Sequence, residues 1–234
     1  MVKKINYGEL QEKLTELFSK GKKYGRTLMF HEVGVAREGY AEYTISTSNF
    51  EKLIVGILHN DGKCDEVATI RNGNERSYYL TFDDGYESVY TNAFPILKKY
   101  NIPFCVFLST SLLDLDGYMS YVQVEEMIKS GLCTVGGHTV SHKMLRYENK
   151  GDVKREIYEN LLELQNKLKV EIEYFAYPYG SIYAVSLDNV LAVKRAKIKY
   201  AFSTLQCDIG FWGIKTKYFI PRWNVNDRLW MRYI

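Results

Sequence analysis

The chain has 234 residues, 46% of them hydrophobic, with 31 Lys and Arg against 28 Asp and Glu, a net charge of +3. That is the profile of an ordinary globular catalytic or binding domain with a sizeable core; the basic runs Lys22–Arg26 and Leu97–Tyr100 are short and interleaved, which argues against a nucleic-acid surface. No apolar run reaches membrane-spanning length, and Met1–Lys20 carries charges throughout in place of an apolar signal core, so a cytoplasmic protein is expected.

Leu10, Leu14, Leu17 and Phe18 fall at helical spacing, which predicts an N-terminal helix over Glu9–Phe18. Thr27–Phe30 reads as a short apolar strand that delivers His31 at its C-terminal edge. Then follow a helix near Asn49–Leu58, a strand at Tyr78–Phe82, a helix over Glu87–Tyr100 and a strand over Phe104–Leu108. Tyr121–Lys129 reads as a helix, Thr134–Val135 as part of a strand and Val153–Leu168 as a long amphipathic helix. Tyr174–Tyr177, Leu187–Lys197, Tyr200–Ser203 and Tyr218–Ile220 continue the alternation. Such a series implies an α/β fold with a parallel sheet, an irregular β/α barrel in a single domain whose functional groups sit at strand C-terminal ends. The boundaries expected are an N-terminal helical extension over 1–25 and a catalytic domain over 26–234.

Cys64, Cys105, Cys133 and Cys207 are far apart and show no paired-ligand spacing; Cys105 and Cys133 lie in apolar runs, where reduced cysteine acts as a small hydrophobe. Tyrosine is abundant, with 20 residues, and core packing is the expectation for most of them.

Two polar runs carry chemistry: Thr81-Phe82-Asp83-Asp84-Gly85 and Gly136-Gly137-His138-Thr139-Val140-Ser141-His142. Together they offer one carboxylate and two imidazoles to a divalent metal, with a second carboxylate to spare. Three protein ligands leave an open position for water of lowered pKa, and the spare carboxylate could take its proton. The histidine spacing suits one face of a helix, while the Gly-Gly before it argues for a loop; either geometry allows two nitrogens on one ion.

The segment from Tyr78 to Thr110, with Thr81–Gly85 at its head, resembles the signature block of the polysaccharide deacetylases, metal-dependent carbohydrate esterases. Thr134–Leu145 resembles their second motif and Phe175–Gly180 their third, and the likeness runs from about Leu28 to Arg222. It implies their barrel fold and the removal of N-acetyl groups from an amino sugar, oligosaccharide or glycan precursor. By that likeness Asp84, His138 and His142 bind the metal and Asp83 is the general base. The mixed oxygen and nitrogen set suits zinc, and cobalt, nickel or iron could occupy it. The backbone N–H of Tyr179 matches the position that relatives use to stabilise the tetrahedral oxyanion.

Two departures from the wider family stand out. Many relatives supply the acid histidine from near the C-terminus, whereas the last histidine here is His142. His31 resembles the acid of the circularly permuted subgroup that deacetylates poly-N-acetylglucosamine, and is the expected general acid; His59 is the rival and reads as a surface or helix-end residue. The arginine that opens the third motif elsewhere is Ala176 here. Arg222 could replace it through a forked pair with Asp83, the alternative being a surface arginine at a strand end. An N-acetylated saccharide is the expected partner, and the expected cytoplasmic setting favours a sugar precursor over a finished polymer. A saccharide-binding protein without catalysis, or a metal hydrolase of another amide or ester, are the alternatives.

Overall fold

The computed structural model describes residues 7–21 and 23–234; residues 1–6 and 22 of the expected N-terminal extension lie outside the described residues. Its centre is a parallel sheet built from β1(Arg26–Phe30), β4(Lys63–Cys64), β5(Ser77–Phe82), β6(Phe104–Leu108), β7(Cys133–Gly137), β8(Tyr174–Ala176), β9(Tyr200–Phe202) and β10(Trp223–Asn224). The order is β10-β1-β5-β6-β7-β8-β9, with β4 on the free end of β5. A separate two-stranded pair, β2(Glu32–Val33) and β3(Thr44–Ile45), follows directly from β1.

Both faces of the strands are buried, which is why they read as continuous apolar runs instead of alternating ones. Leu28, Phe30, Leu80, Phe82, Phe104, Val106 and Phe175 point outward into one core. There they meet α2(Thr47–His59) through Leu53 and Ile57, α4(Tyr121–Lys129) through Met127, α5(Lys150–Leu168) through Ile157 and Leu161, and α6(Leu187–Arg195) through Val193. Tyr79, Cys105, Phe107, Tyr174, Ala176, Tyr200 and Phe202 point inward and fill the barrel. Many tyrosines do serve the core: Tyr78, Tyr174, Tyr177 and Tyr200 are buried, and Tyr90, Tyr100, Tyr121 and Tyr218 pack against it. All four cysteines are buried and free.

The helix expected over Glu87–Tyr100 has a wide turn at Val89–Ala93 before α3(Phe94–Lys99). Pro95 explains it, because a proline has no N–H to give and its ring would strike the carbonyl one turn back in a regular helix. Tyr218–Ile220 does not form a strand of its own; Ile220 makes an isolated bridge to Phe202, and the last strand lies further on at Trp223–Asn224. The backbone N–H of Ser203 donates to Ile220 and that of Arg222 to Leu205, so this segment lines the edge of β9 just before β10 pairs with β1. It narrows the gap in the half-barrel and places Arg222 inside.

At the N-terminal side, α1(Tyr7–Ser19) packs on α7(Phe211–Thr216). Among the described residues no helix is long and apolar enough to cross a membrane.

Candidate metal centre and active site

Strand ends deliver most of the expected residues to one mouth of the barrel. His31 follows β1, the Asp83-Asp84 pair follows β5, His138 follows β7 and Tyr179 lies three residues beyond β8. The backbone N–H of Asp83 donates to the carbonyl of Phe30 at 2.9 Å, which ties the end of β5 to the end of β1. Asp84 then turns at φ 71°, so the two sequential carboxylates separate: Asp83 looks down into the barrel and Asp84 across its mouth.

Gly136 and Gly137 are strand residues, not the loop that their composition suggested. A Cβ at Gly136 would lie 2.5 Å from the ring of Phe107, and one at Gly137 would lie 2.5 Å from Asn160 Oδ1, so both positions require close approach. Beyond them His138–His142 runs as an irregular loop, with positive φ at Thr139 (65°) and His142 (53°).

Asp84, His138 and His142 converge, with candidate ligand atoms all within 4.8 Å of one another. Nε2 of His138 and Nε2 of His142 lie 3.3 and 3.1 Å from Asp84 Oδ1. Those separations match the edge of a tetrahedron around an ion with bonds of about 2.0–2.2 Å, which is about 3.4 Å. Asp84 Oδ1 is buried without a hydrogen-bond partner of good geometry, an arrangement that a shared cation would complete. The donor set and its spacing therefore fit a divalent ion. Nδ1 of His138 lies 2.7 Å from the carbonyl of Ala176. A carbonyl only accepts, so Nδ1 carries the proton and Nε2 presents a lone pair to the site. Ala176 thus orients the His138 ring through its backbone carbonyl.

Arg222 fulfils the forked pairing expected of it. Nη1 and Nη2 donate to Asp83 Oδ1 and Oδ2, both at 2.7 Å, and its Nε donates to the carbonyl of Ser203 at 3.0 Å. The guanidinium lies 5.5 Å from the ring centre of Phe107 and 6.0 Å from that of Phe202, and the residue is fully buried, which removes the surface-arginine alternative. Burial by itself would raise the Asp83 carboxyl, but the Arg222 charge and hydrogen bonds overcome it and hold the group below the usual carboxylate range.

His31 stands beside this pair with its ring edge-on to Tyr43 at 5.0 Å. Its Nδ1 is buried and lacks a hydrogen-bond partner. Burial lowers its pKa, against the pull of the Asp84 and Asp83 charges. For His142 burial also lowers the pKa, but Asp84 reverses the balance and the net shift is upward. His59, the rival acid, is the exposed last residue of α2 and does not reach the site. Tyr179, at φ 60°, places its ring 5.0 Å from that of His142.

The cavity above these residues has a volume of about 590 Å³ and is lined by His31, Asp83, Asp84, His138, His142, Tyr40, Tyr43, Tyr86, Tyr118, Tyr179, Glu42, Thr204, Gln206 and Asn224, among others. Tyr86 and Tyr118 stack at 5.0 Å along one side. The aromatic rim escaped the sequence reading because spacing alone does not separate tyrosines of a rim from those of a core. Glu156 and Asn160 of α5, which bond to the histidine loop, also escaped it: they sit within an amphipathic pattern that explains the helix without them.

The sequence profile of the family described as polysaccharide deacetylase matches residues 70–201. A poly-beta-1,6-N-acetyl-D-glucosamine N-deacetylase of Staphylococcus aureus (strain MRSA252) is 29% identical over 204 residues, covering 79% of this chain and 69% of the relative. The protein of the same description from Staphylococcus epidermidis (strain ATCC 35984) is 32% identical over 183 residues, covering 70% of this chain and 62% of the relative. Among solved structures, IcaB from Ammonifex degensii superposes with a TM-score of 0.75 at 24% identity, covering 91% of this chain and 95% of that one. The Streptococcus pyogenes deacetylase PplD, solved with acetate, gives 0.80 at 18% identity over 89% of this chain and 95% of that one.

Proposed function

We infer the following reaction for this chain, which belongs to the polysaccharide deacetylase family. It hydrolyses the N-acetyl groups of a glycan, and the substrate we propose is a β-1,6-linked N-acetylglucosamine chain, the class named for the staphylococcal relatives. The observation that carries the catalytic part is the pairing of a three-ligand centre with a separate ionised carboxylate: Asp84, His138 and His142 converge, while Asp83 is kept apart from them by Arg222.

A divalent ion held by Asp84, His138 and His142 would lower the pKa of a water toward neutrality and polarise the acetyl carbonyl, and zinc suits this donor set best. The chain's own groups do the rest. Asp83, ionised and oriented by the fork from Arg222, accepts the proton of the attacking water. The Tyr179 backbone N–H donates to the oxygen that gains charge as the carbonyl carbon becomes tetrahedral. His31 gives a proton to the departing sugar nitrogen, so that an amine leaves and acetate remains. The ring of Tyr118, backed by the buried Tyr86, and the exposed ring of Tyr179 offer apolar faces for pyranose rings at the cavity mouth. An intact Asp83–Arg222 fork favours hydrolysis over saccharide binding alone. Acetate release from β-1,6-linked N-acetylglucosamine oligomers, compared with β-1,4-linked oligomers and free N-acetylglucosamine, tests the reading; activity confined to the latter two would refute the linkage.

A further inference from the structure

Helix α5 carries two polar side chains on its buried face, Glu156 and Asn160, which are 2% and 0% exposed. Four residues apart, they share one side of the helix with Val153, Ile157, Leu161 and Leu164. A carboxylate and an amide in such a row are costly unless their bonds are satisfied. Here the bonds are made, and they converge on the loop that holds both site histidines. Asn160 Oδ1 accepts the backbone N–H of His138 at 3.1 Å, while its Nδ2 donates to the carbonyls of Thr139 at 2.7 Å and Leu108 at 2.9 Å. Glu156 Oε2 accepts the backbone N–H of Ser141 at 2.9 Å, Oε1 accepts its hydroxyl at 2.7 Å, and the Glu156 carbonyl accepts the N–H of Val140 at 3.1 Å. Every residue from His138 to Ser141 is thereby bonded to α5.

That loop needs holding. Thr139, β-branched, sits at φ 65°, a conformation that such a residue adopts only when its surroundings impose it, and His142 follows at φ 53°, in a region that non-glycine residues enter uncommonly. We propose that Asn160 and Glu156 are positioning residues of the metal centre: Asn160 sets His138, Glu156 sets His142 through Ser141, and the two imidazoles meet Asp84 before a cation arrives. This rests on the reading that Asp84, His138 and His142 bind a divalent ion.

The test is titration of the metal-free protein with Co²⁺, reading affinity and the visible ligand-field spectrum. Asn160→Leu and Glu156→Leu should weaken Co²⁺ binding by about 10–100-fold and alter the spectrum, as loss of partners behind metal ligands does. Glu156→Gln should recover most of the affinity, since a carboxamide can still serve the Ser141 N–H and hydroxyl. Ser141→Ala, at an exposed position that leaves the helix intact, should give a smaller loss in the same direction. Leu164→Ala, a core change on the same helix, should lower the melting temperature while leaving Co²⁺ affinity and spectrum as in the wild type. Leucine variants that bind Co²⁺ like the wild type, whatever their stability, would overturn the positioning role alone. A wild-type protein that binds no Co²⁺ would overturn the metal reading and this role with it.

Discussion

Arg222 and Asp83 meet in a two-pronged pair, 2.7 Å on each prong, with both side chains buried although 139 positions separate them in the chain. The arginine does two things at once: it offsets the charge of a carboxylate that is almost wholly buried at the floor of the cavity, and it keeps that carboxylate ionised. Arg222→Met should therefore cost about 3–5 kcal/mol of stability, because a buried charge loses its partner. The pH profile carries the sign. A base works only when ionised, and Arg222 holds Asp83 below the usual carboxylate range, so in the wild type Asp83 stays ionised wherever His138 and His142 remain unprotonated and able to hold an ion. In Arg222→Met the acid limb of kcat should move to higher pH; an unmoved limb would show that Asp83 is not the base.

The two aspartates are separable by substitution. Asp83→Asn should retain the divalent ion and lose turnover, because nothing then accepts the proton of water. Asp84→Asn should lose most of the ion. Elemental analysis of both variants decides it, and metal lost from Asp83→Asn with activity retained on the residual fraction would reverse the assignment.

Much of this was legible in the chain. β6 and α4 fall on their expected boundaries because a continuous apolar run and a serine cap at Ser120 mark them unambiguously. The motif carboxylates and histidines also come together as their residue types implied. What stayed hidden depended on tertiary partners. Two-residue strands such as β2, β3 and β4 have no period to detect, and they exist only through their neighbours. The Gly136-Gly137 pair reads as a loop in sequence, yet its absent side chains make room for Phe107 and Asn160. Tyr218–Ile220 has strand composition but joins the sheet by a single bridge, because the chain must bend there to send Arg222 inward.

The close approach at Gly137 gives a prediction of its own. A methyl group there would sit 2.5 Å from Asn160 Oδ1 and 2.7 Å from Leu161 Cδ2. Gly137→Ala should lower stability by about 1–3 kcal/mol, the usual range for overpacking, measured by denaturant midpoint. A midpoint equal to the wild type would mean that the β7–α5 contact yields freely.

For His31, the expected outcome is a loss of turnover of about 10²–10⁴-fold in His31→Ala at unchanged metal content. A general acid acts only when protonated, so the alkaline limb of the wild-type profile should vanish in the variant. Burial lowers the His31 pKa, which sets that limb below the position of an exposed histidine. If His31→Ala remains fully active while the exposed His59→Ala does not, the acid has been misassigned.

The most direct measurement takes metal content and acetate release together, on the wild type and on His138→Ala and His142→Ala. The account predicts one divalent ion per wild-type chain and acetate released from β-1,6-linked N-acetylglucosamine oligomers, with most of the ion and the activity lost in each variant. Histidine variants that keep a full complement of metal and full activity, or a metal-loaded wild type that releases no acetate from any N-acetylated oligosaccharide, would contradict it.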